Sequence, residues 1–397
     1  MQKETKTMSD RRMLVILAFI SAFPALSTDL YIPALPQMVA ILETTPARVN
    51  LTLSLFFIFF GAAILIWGPL SDKYGRKPVL YCGLTIYIIS SLMCAMAGNY
   101  IHLIIARIFQ ALGGGAATAV ATAVVKDTYT GEKRAHTLAV VMAMVIIAPV
   151  VAPIIGSLLL KFASWRAIFF TLAGFGIVAF LVSIPLAEPL VEPFRGSSFR
   201  AIGRLFVVLK NPGFSLLLGI FSSVTMPLMA FVASSSYVYI QGFGLTEQTF
   251  SLFFAVNAVS AMLGPLLYIR LSNRFHPNAI ISSCFLVMAG SGILVASLGP
   301  LSPFVFAACM LPATMSITGM RPPSANLLLE QQNRDTGSAS SLINFVGMIM
   351  GSVGMLLISL GTSHLVFFIG IIQVATGSLG YLFWMAVKNR SFIVQTR

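Results

Sequence analysis

Apolar runs of roughly 18 residues or more recur along this chain, each long enough to cross the hydrocarbon core of a bilayer as a helix. No soluble architecture accommodates them, because 57% of the 397 residues are hydrophobic and only 9% are charged. The runs are continuously apolar rather than alternating, which argues against a β-barrel. The chain reads as an all-α polytopic membrane protein. Twelve spans are predicted, at 13–37, 48–69, 79–97, 100–124, 137–160, 166–187, 213–240, 249–271, 277–298, 303–329, 336–360 and 364–387.

A net charge of +13 invites a nucleic-acid reading, but membrane orientation accounts for it. With both termini cytoplasmic, the inner segments collect most basic residues. These are Lys3, Lys6, Arg11 and Arg12; Lys73, Arg76 and Lys77; Lys126, Lys133 and Arg134; Arg195, Arg200, Arg204 and Lys210; Arg270 and Arg274; Arg334; and Lys388, Arg390 and Arg397. The outer loops keep Arg48, Lys161 and Arg166. This positive-inside bias sets the topology and leaves nothing basic that needs a nucleic acid. Cys82, Cys94, Cys284 and Cys309 all fall within predicted helices, so free thiols are expected rather than disulfides. The first apolar run continues into Asp29 and Tyr31-Ile32-Pro33 without a cleavage site, so it reads as an uncleaved span. The four histidines map near helix ends, which speaks against a metal site, and no phosphate-binding loop is present.

The longest polar interruption, 188–212, divides the chain into six spans and six spans. The predicted organisation is a six-helix bundle over 1–187, a central cytoplasmic loop over 188–212 and a second six-helix bundle over 213–397. Gly68-Pro69-Leu70 near the end of span 2 returns as Gly264-Pro265-Leu266 near the end of span 8, a weak internal repeat. Paired halves of this kind suit a transporter that binds its substrate near the midplane.

Gly68-Pro69-Leu70-Ser71-Asp72-Lys73-Tyr74-Gly75-Arg76-Lys77 reads as a charged turn between spans 2 and 3. Gly68 and Gly75 would permit close helix approach and a tight turn. Asp72 would pair with Arg76 or a neighbouring base and hold the cytoplasmic ends of the two halves together in one state. Asp29 is the only carboxylate clearly within a span. Translocon scales put a central aspartate at roughly +2.5–3.5 kcal/mol, so it should face a cavity or a partner and carry a proton for part of its time. That suits a proton-coupling group; equally, Asp29 could sit near the outer interface and order the end of helix 1. Arg107 in span 4 needs a partner or water, and Gln110 lies one turn away. It reads either as part of a proton pathway or as a structural arginine bonded to carbonyls. Pro149 and Pro153 in span 5 each remove a backbone donor and are expected to bend the helix, and Gly156 adds a close-packing point. Arg321, before Pro322-Pro323 in span 10, either snorkels to the cytoplasm or lines the cavity and meets an anionic group. Tyr31, Gln110, Tyr237, Asn257 and Asn344 complete the polar cavity candidates.

The 68–77 segment resembles the loop between helices 2 and 3 of the major facilitator superfamily. The Arg107-Ile108-Phe109-Gln110 stretch through Ala117 resembles that superfamily's helix-4 motif, implicated in proton transfer, with Ala111 where glycine is frequent. Ala148-Pro149-Val150-Val151-Ala152-Pro153 through Gly156 resembles the antiporter motif of drug exporters. Together with Thr28-Asp29-Leu30-Tyr31-Ile32-Pro33, 236–257 and 337–342, these stretches are similar to the twelve-span drug:proton antiporters of the Bcr/CflA-like, bicyclomycin- and chloramphenicol-resistance group. The resemblance implies a monomeric transporter of the bacterial inner membrane, not an enzyme. It implies alternating access, export of a small molecule driven by inward proton flow, and no cofactor beyond the proton gradient. It implies proton coupling at Asp29 and Arg107, gating at Gly68, Asp72, Gly75 and Arg76, and an antiporter helix carrying Pro149, Pro153 and Gly156. Two alternatives stand beside it: export of a native anionic metabolite or siderophore, which Arg321 would fit, and proton-coupled uptake, against which the proline pair argues.

Overall fold

The computed structural model describes residues 10–190, 198–332, 336–361, 364–390 and 393. Lys3, Lys6, Arg195, Arg334 and Arg397, counted above among the cytoplasmic bases, lie outside the described residues. The described elements are helices: α1 (Asp10–Ser21), α2 (Phe23–Asp29), α3 (Leu35–Ile41), α4 (Pro46–Tyr74), α5 (Arg76–Ala95), α6 (Tyr100–Thr128), α7 (Gly131–Phe162), α8 (Trp165–Ser183), α9 (Ser198–Leu209), α10 (Pro212–Ser223), α11 (Thr225–Ser236), α12 (Glu247–Ser272), α13 (Pro277–Leu298), α14 (Pro303–Glu330), α15 (Thr336–Ile358) and α16 (Leu365–Val387). Short 3-10 turns cover Ile32–Ala34 and Gly299–Leu301, and a π-helical turn covers Tyr237–Gly242. Among the described residues, eleven helical stretches are long and apolar enough to cross a membrane, and Met13–Ser21 with Ala25–Ile41, bent by 41°, supplies a twelfth if counted as one span.

Three departures from the sequence expectation have local causes. The first span bends by 41° between Ser21 and Ala25, where Pro24 supplies no N–H, and its helix is interrupted again after Asp29, where Pro33 and Pro36 supply none. Span 7 breaks at Val224 between α10 and α11, where Pro227 leaves the Ser223 carbonyl without its helical donor. By contrast, α7 runs unbroken through Pro149 and Pro153. The predicted turn at 68–77 is also mostly helix: α4 continues to Tyr74, and the whole reversal falls on Gly75, whose φ of +99° disfavours any side chain. Close packing at Gly68 is not found, since a Cβ there would meet nothing within 4 Å. Its repeat partner Gly264 is the one that packs, against Met315 and Gly319 of α14. The central loop contains an unanticipated amphipathic helix, α9, whose Val208 is buried and whose Val208 carbonyl accepts from Gln332 Nε2 at 3.3 Å.

The chain forms two compact units, Met1–Tyr31 with Phe59–Ala201, and Ile32–Ile58 with Ile202–Arg397. In the first, α5 packs on α6 and α8, and α1 and α2 pack on α7. In the second, α13 packs on α16, α12 on α14 and α11 on α15, around a core that includes Phe214, Phe221, Phe285, Met288 and Trp384. Residues 32–58 are bonded into that second unit: Asn50 Nδ2 donates to Ser359 Oγ at 3.1 Å, and Ser352 Oγ donates to the Ser54 carbonyl at 3.1 Å.

Candidate functional site

The broken first span places Asp29 as the last residue of α2, buried at 7% exposure. Its carboxylate accepts one side-chain hydrogen bond among the described residues, from Thr28 Oγ1 at 3.1 Å. A charged group this poorly solvated is costly to bury. The same turn is gripped from two sides. Arg107 of α6, fully buried, donates through Nη1 to the Ser27 carbonyl at 2.8 Å and to Gln110 Oε1 at 2.6 Å. On the other side, α7 comes so close that a Cβ on Gly156 would run into the Leu30 carbonyl oxygen. Asp29 therefore lies between the carbonyl held by Arg107 and the one covered by Gly156.

The described partners of Arg107 are polar and aromatic groups. Its guanidinium sits 5.0 Å from the Tyr31 ring centroid and 5.9 Å from that of Phe169. Desolvated cation–π contacts of this kind contribute about 2 kcal/mol. Gln110 Nε2 donates onward to Ser91 Oγ at 2.8 Å, Ser91 Oγ donates to the Tyr87 carbonyl at 2.6 Å, and the Tyr87 hydroxyl shares a 2.7 Å hydrogen bond with Ser27 Oγ. The network closes on itself through α2, α5 and α6, all within the first unit. Sequence spacing pointed to the Arg107–Gln110 pair; Ser27, Tyr87 and Ser91 carry no local signal and emerge only from packing.

At the far end of α4 and α5, Arg76 is the hub of a second cluster. Its Nη1 meets Asp72 Oδ1 at 2.6 Å and Ser71 Oγ at 2.6 Å, and its Nε meets Asp127 Oδ2 at 2.7 Å. Glu188 accepts the backbone N–H groups of Arg76 at 2.8 Å and Lys77 at 2.9 Å. A carboxylate placed on a helix N-terminus satisfies orphan donors and complements the dipole. The described partners of Arg76 all belong to the first unit. Asp127 and Glu188 were missed as partners. Their signal was an acid retained at a helix end or linker start otherwise rich in bases.

The remaining candidates separate by exposure. Tyr31, Gln110, Tyr237 and Asn257 are buried. Asn257 Nδ2 donates to Thr314 Oγ1 at 3.0 Å, a bond between α12 and α14. Asn344 is exposed and donates to the Ser340 carbonyl of its own helix at 3.1 Å. Arg321 is also exposed and lines a cleft in the second unit with Phe221, Val224 and Thr225. The four cysteines are free, on α5, α13 and α14, and no cluster of three metal-ligating side chains exists among the described residues.

The sequence profile described as Major Facilitator Superfamily matches residues 17–355. The chain is 28% identical over 389 residues to the uncharacterized MFS-type transporter YdgK of Bacillus subtilis, covering 94% of this chain and 95% of that protein. It is 27% identical over 260 residues to the multidrug resistance protein MdtL of Klebsiella pneumoniae, covering 64% of each, so that match spans just under two thirds of the relative. Among solved structures, a bacterial homologue of the human lysosomal transporter Spinster, inward-facing and occupied, aligns with a TM-score of 0.74 at 16% identity over 97% of this chain and 98% of that one. A D-xylose-proton symporter aligns with a TM-score of 0.72 at 13% identity over 94% and 97%.

Proposed function

The chain belongs to the major facilitator superfamily, and from that premise we propose that it is a proton-coupled exporter of small molecules working by alternating access. It is a multi-pass membrane transporter and not an enzyme. Export is favoured over uptake by the multidrug-resistance name of a relative and by the close seat of Gly156 on Leu30. We place it in the Bcr/CflA-like group of drug:proton antiporters, as a monomer in the bacterial inner membrane with both termini cytoplasmic.

The observation that carries the reading is the position of Asp29, a buried carboxyl between two gripped backbone carbonyls. Protonation from outside neutralises it and releases the cargo; loss of the proton inside restores the binding state. Because Arg107 holds Ser27 and α7 covers Leu30, a change of charge at Asp29 acts on a turn already contacted by α6 and α7. One charge moving across 100 mV supplies ~2.3 kcal/mol, enough for about a fifty-fold gradient.

The test is substrate-evoked proton movement in proteoliposomes, with lipophilic drugs beside carboxylate compounds. Proton release from the lumen on substrate entry, lost in Asp29→Asn, is the expected result. Proton and substrate moving in the same direction would make the protein a symporter. Uphill transport by Asp29→Asn with an unchanged pH profile would remove Asp29 from the coupling step.

A further inference from the structure

Away from the ends of the membrane spans, with Met13–Ser21 and Ala25–Ile41 counted as one, the described residues carry three charged side chains: Asp29 and Arg107 in the first unit and Arg321 in the second. The protein treats the two arginines in opposite ways. Arg107 is fully buried, bonded to a carbonyl and an amide oxygen and covered by two aromatic rings. Arg321 is exposed, and no carboxylate or hydrogen-bond acceptor is paired with it among the described residues. Yet it does not sit on a lipid-facing surface, since protein closes around it in a cleft.

The position is deep. Arg321 lies nine residues before the end of α14, about 14 Å of helical rise. The cleft walls are Phe221, Val224 and Thr225, at the break between α10 and α11, with Ile317, Met320 and Ser324 of α14. The polar wall groups are already committed: Thr225 Oγ1 donates to the Ser222 and Gly347 carbonyls, and Ser324 Oγ donates to the Arg321 carbonyl. The carboxylates of the second unit's described spans, Glu247 and Glu330, are the first residue of α12 and the last of α14. The cleft thus offers an apolar, partly aromatic wall and one planar cation with its donor fork unused. That pairing suits a ligand with an apolar body and an oxyanion head.

We infer that Arg321 is an anion-recognition residue of the substrate cleft and that the cargo is an amphipathic organic anion, an apolar body bearing a carboxylate or a similar oxyanion. The inference rests on the transporter reading above but not on its direction or its proton coupling.

Binding to the purified full-length chain in detergent, followed by fluorescence anisotropy, tests it with two probes of matched xanthene body: fluorescein, an anion, and rhodamine 6G, a cation. Fluorescein is expected to bind at least about tenfold more tightly, as one charge-assisted contact allows. Arg321→Gln should weaken fluorescein about tenfold and leave rhodamine 6G within about twofold, which also shows that the variant is folded. Arg321→Lys should recover part of the loss, and Arg321→Glu should invert the preference. Rhodamine 6G binding to the unaltered protein as tightly as fluorescein, or an unchanged ratio in Arg321→Gln, overturns the inference. Failure of fluorescein to bind overturns it as well. None of these outcomes bears on antiport, which proton release in liposomes reads separately.

Discussion

Replacing Arg76 by alanine removes a guanidinium that contacts two carboxylates, and the structure ranks them. The Arg76 side chain is 6% exposed; Asp127 is 21% exposed and Asp72 is 50% exposed. Exposed ion pairs contribute about 0–1 kcal/mol, whereas a shielded charged hydrogen bond contributes about 1.5–3 kcal/mol. The Arg76–Asp127 coupling should therefore be about 2 kcal/mol and the Arg76–Asp72 coupling below about 1 kcal/mol, although Asp72 is the closer in sequence. Arg76→Ala alone should cost about 3 kcal/mol, the low end for breaking a buried pair, because Asp127 keeps some water. Double-mutant cycles on reversible unfolding in mixed micelles, with Asp127→Ala and Asp72→Ala, measure both couplings. Repeating them in high salt should erase the Asp72 term and spare most of the Asp127 term. An Asp72 coupling equal to or larger than the Asp127 coupling would refute the ranking by burial.

Gly156→Ala should destabilise the protein by about 1–3 kcal/mol through forced separation of α7 from Leu30, with transport falling alongside, whereas Leu158→Ala on the exposed face of α7 should be near neutral; thermal melts and flux assays check both. Glu188→Ala should release the N-terminus of α5 at a cost of about 1 kcal/mol, read as about fivefold faster hydrogen exchange at the Arg76 and Lys77 amides, while Glu188→Gln keeps an acceptor and loses less.

The span pattern was legible because hydrocarbon imposes a length and a polarity on every helix that crosses it. Pro149 and Pro153 each remove a donor without ending α7, as helices packed in membranes allow. Gly68 shows the limit of local rules, since a repeated tripeptide says which residues recur but not which helix faces them; α14 packs on Gly264, and among the described residues a Cβ on Gly68 would meet nothing within 4 Å. The Arg107–Gln110 pair was readable from its spacing of one turn. The grip on Ser27 and the carboxylates at Asp127 and Glu188 were not, because those contacts join residues 51 to 112 positions apart and are fixed only when helices dock.

Residues 32–58 belong with the second unit although they are made early, and their bond from Asn50 to Ser359 closes over 309 positions. During synthesis the first unit has every one of its helices available once residue 201 has emerged. The second must wait until Ser352 and Ser359 have emerged, holding a segment made some three hundred residues earlier in an unpaired state. Contacts of such separation form slowly and leave apolar and polar surface unsatisfied in the interim. Biogenesis of this protein is therefore most exposed at Asn50 and Ser54, where partners arrive some three hundred residues late.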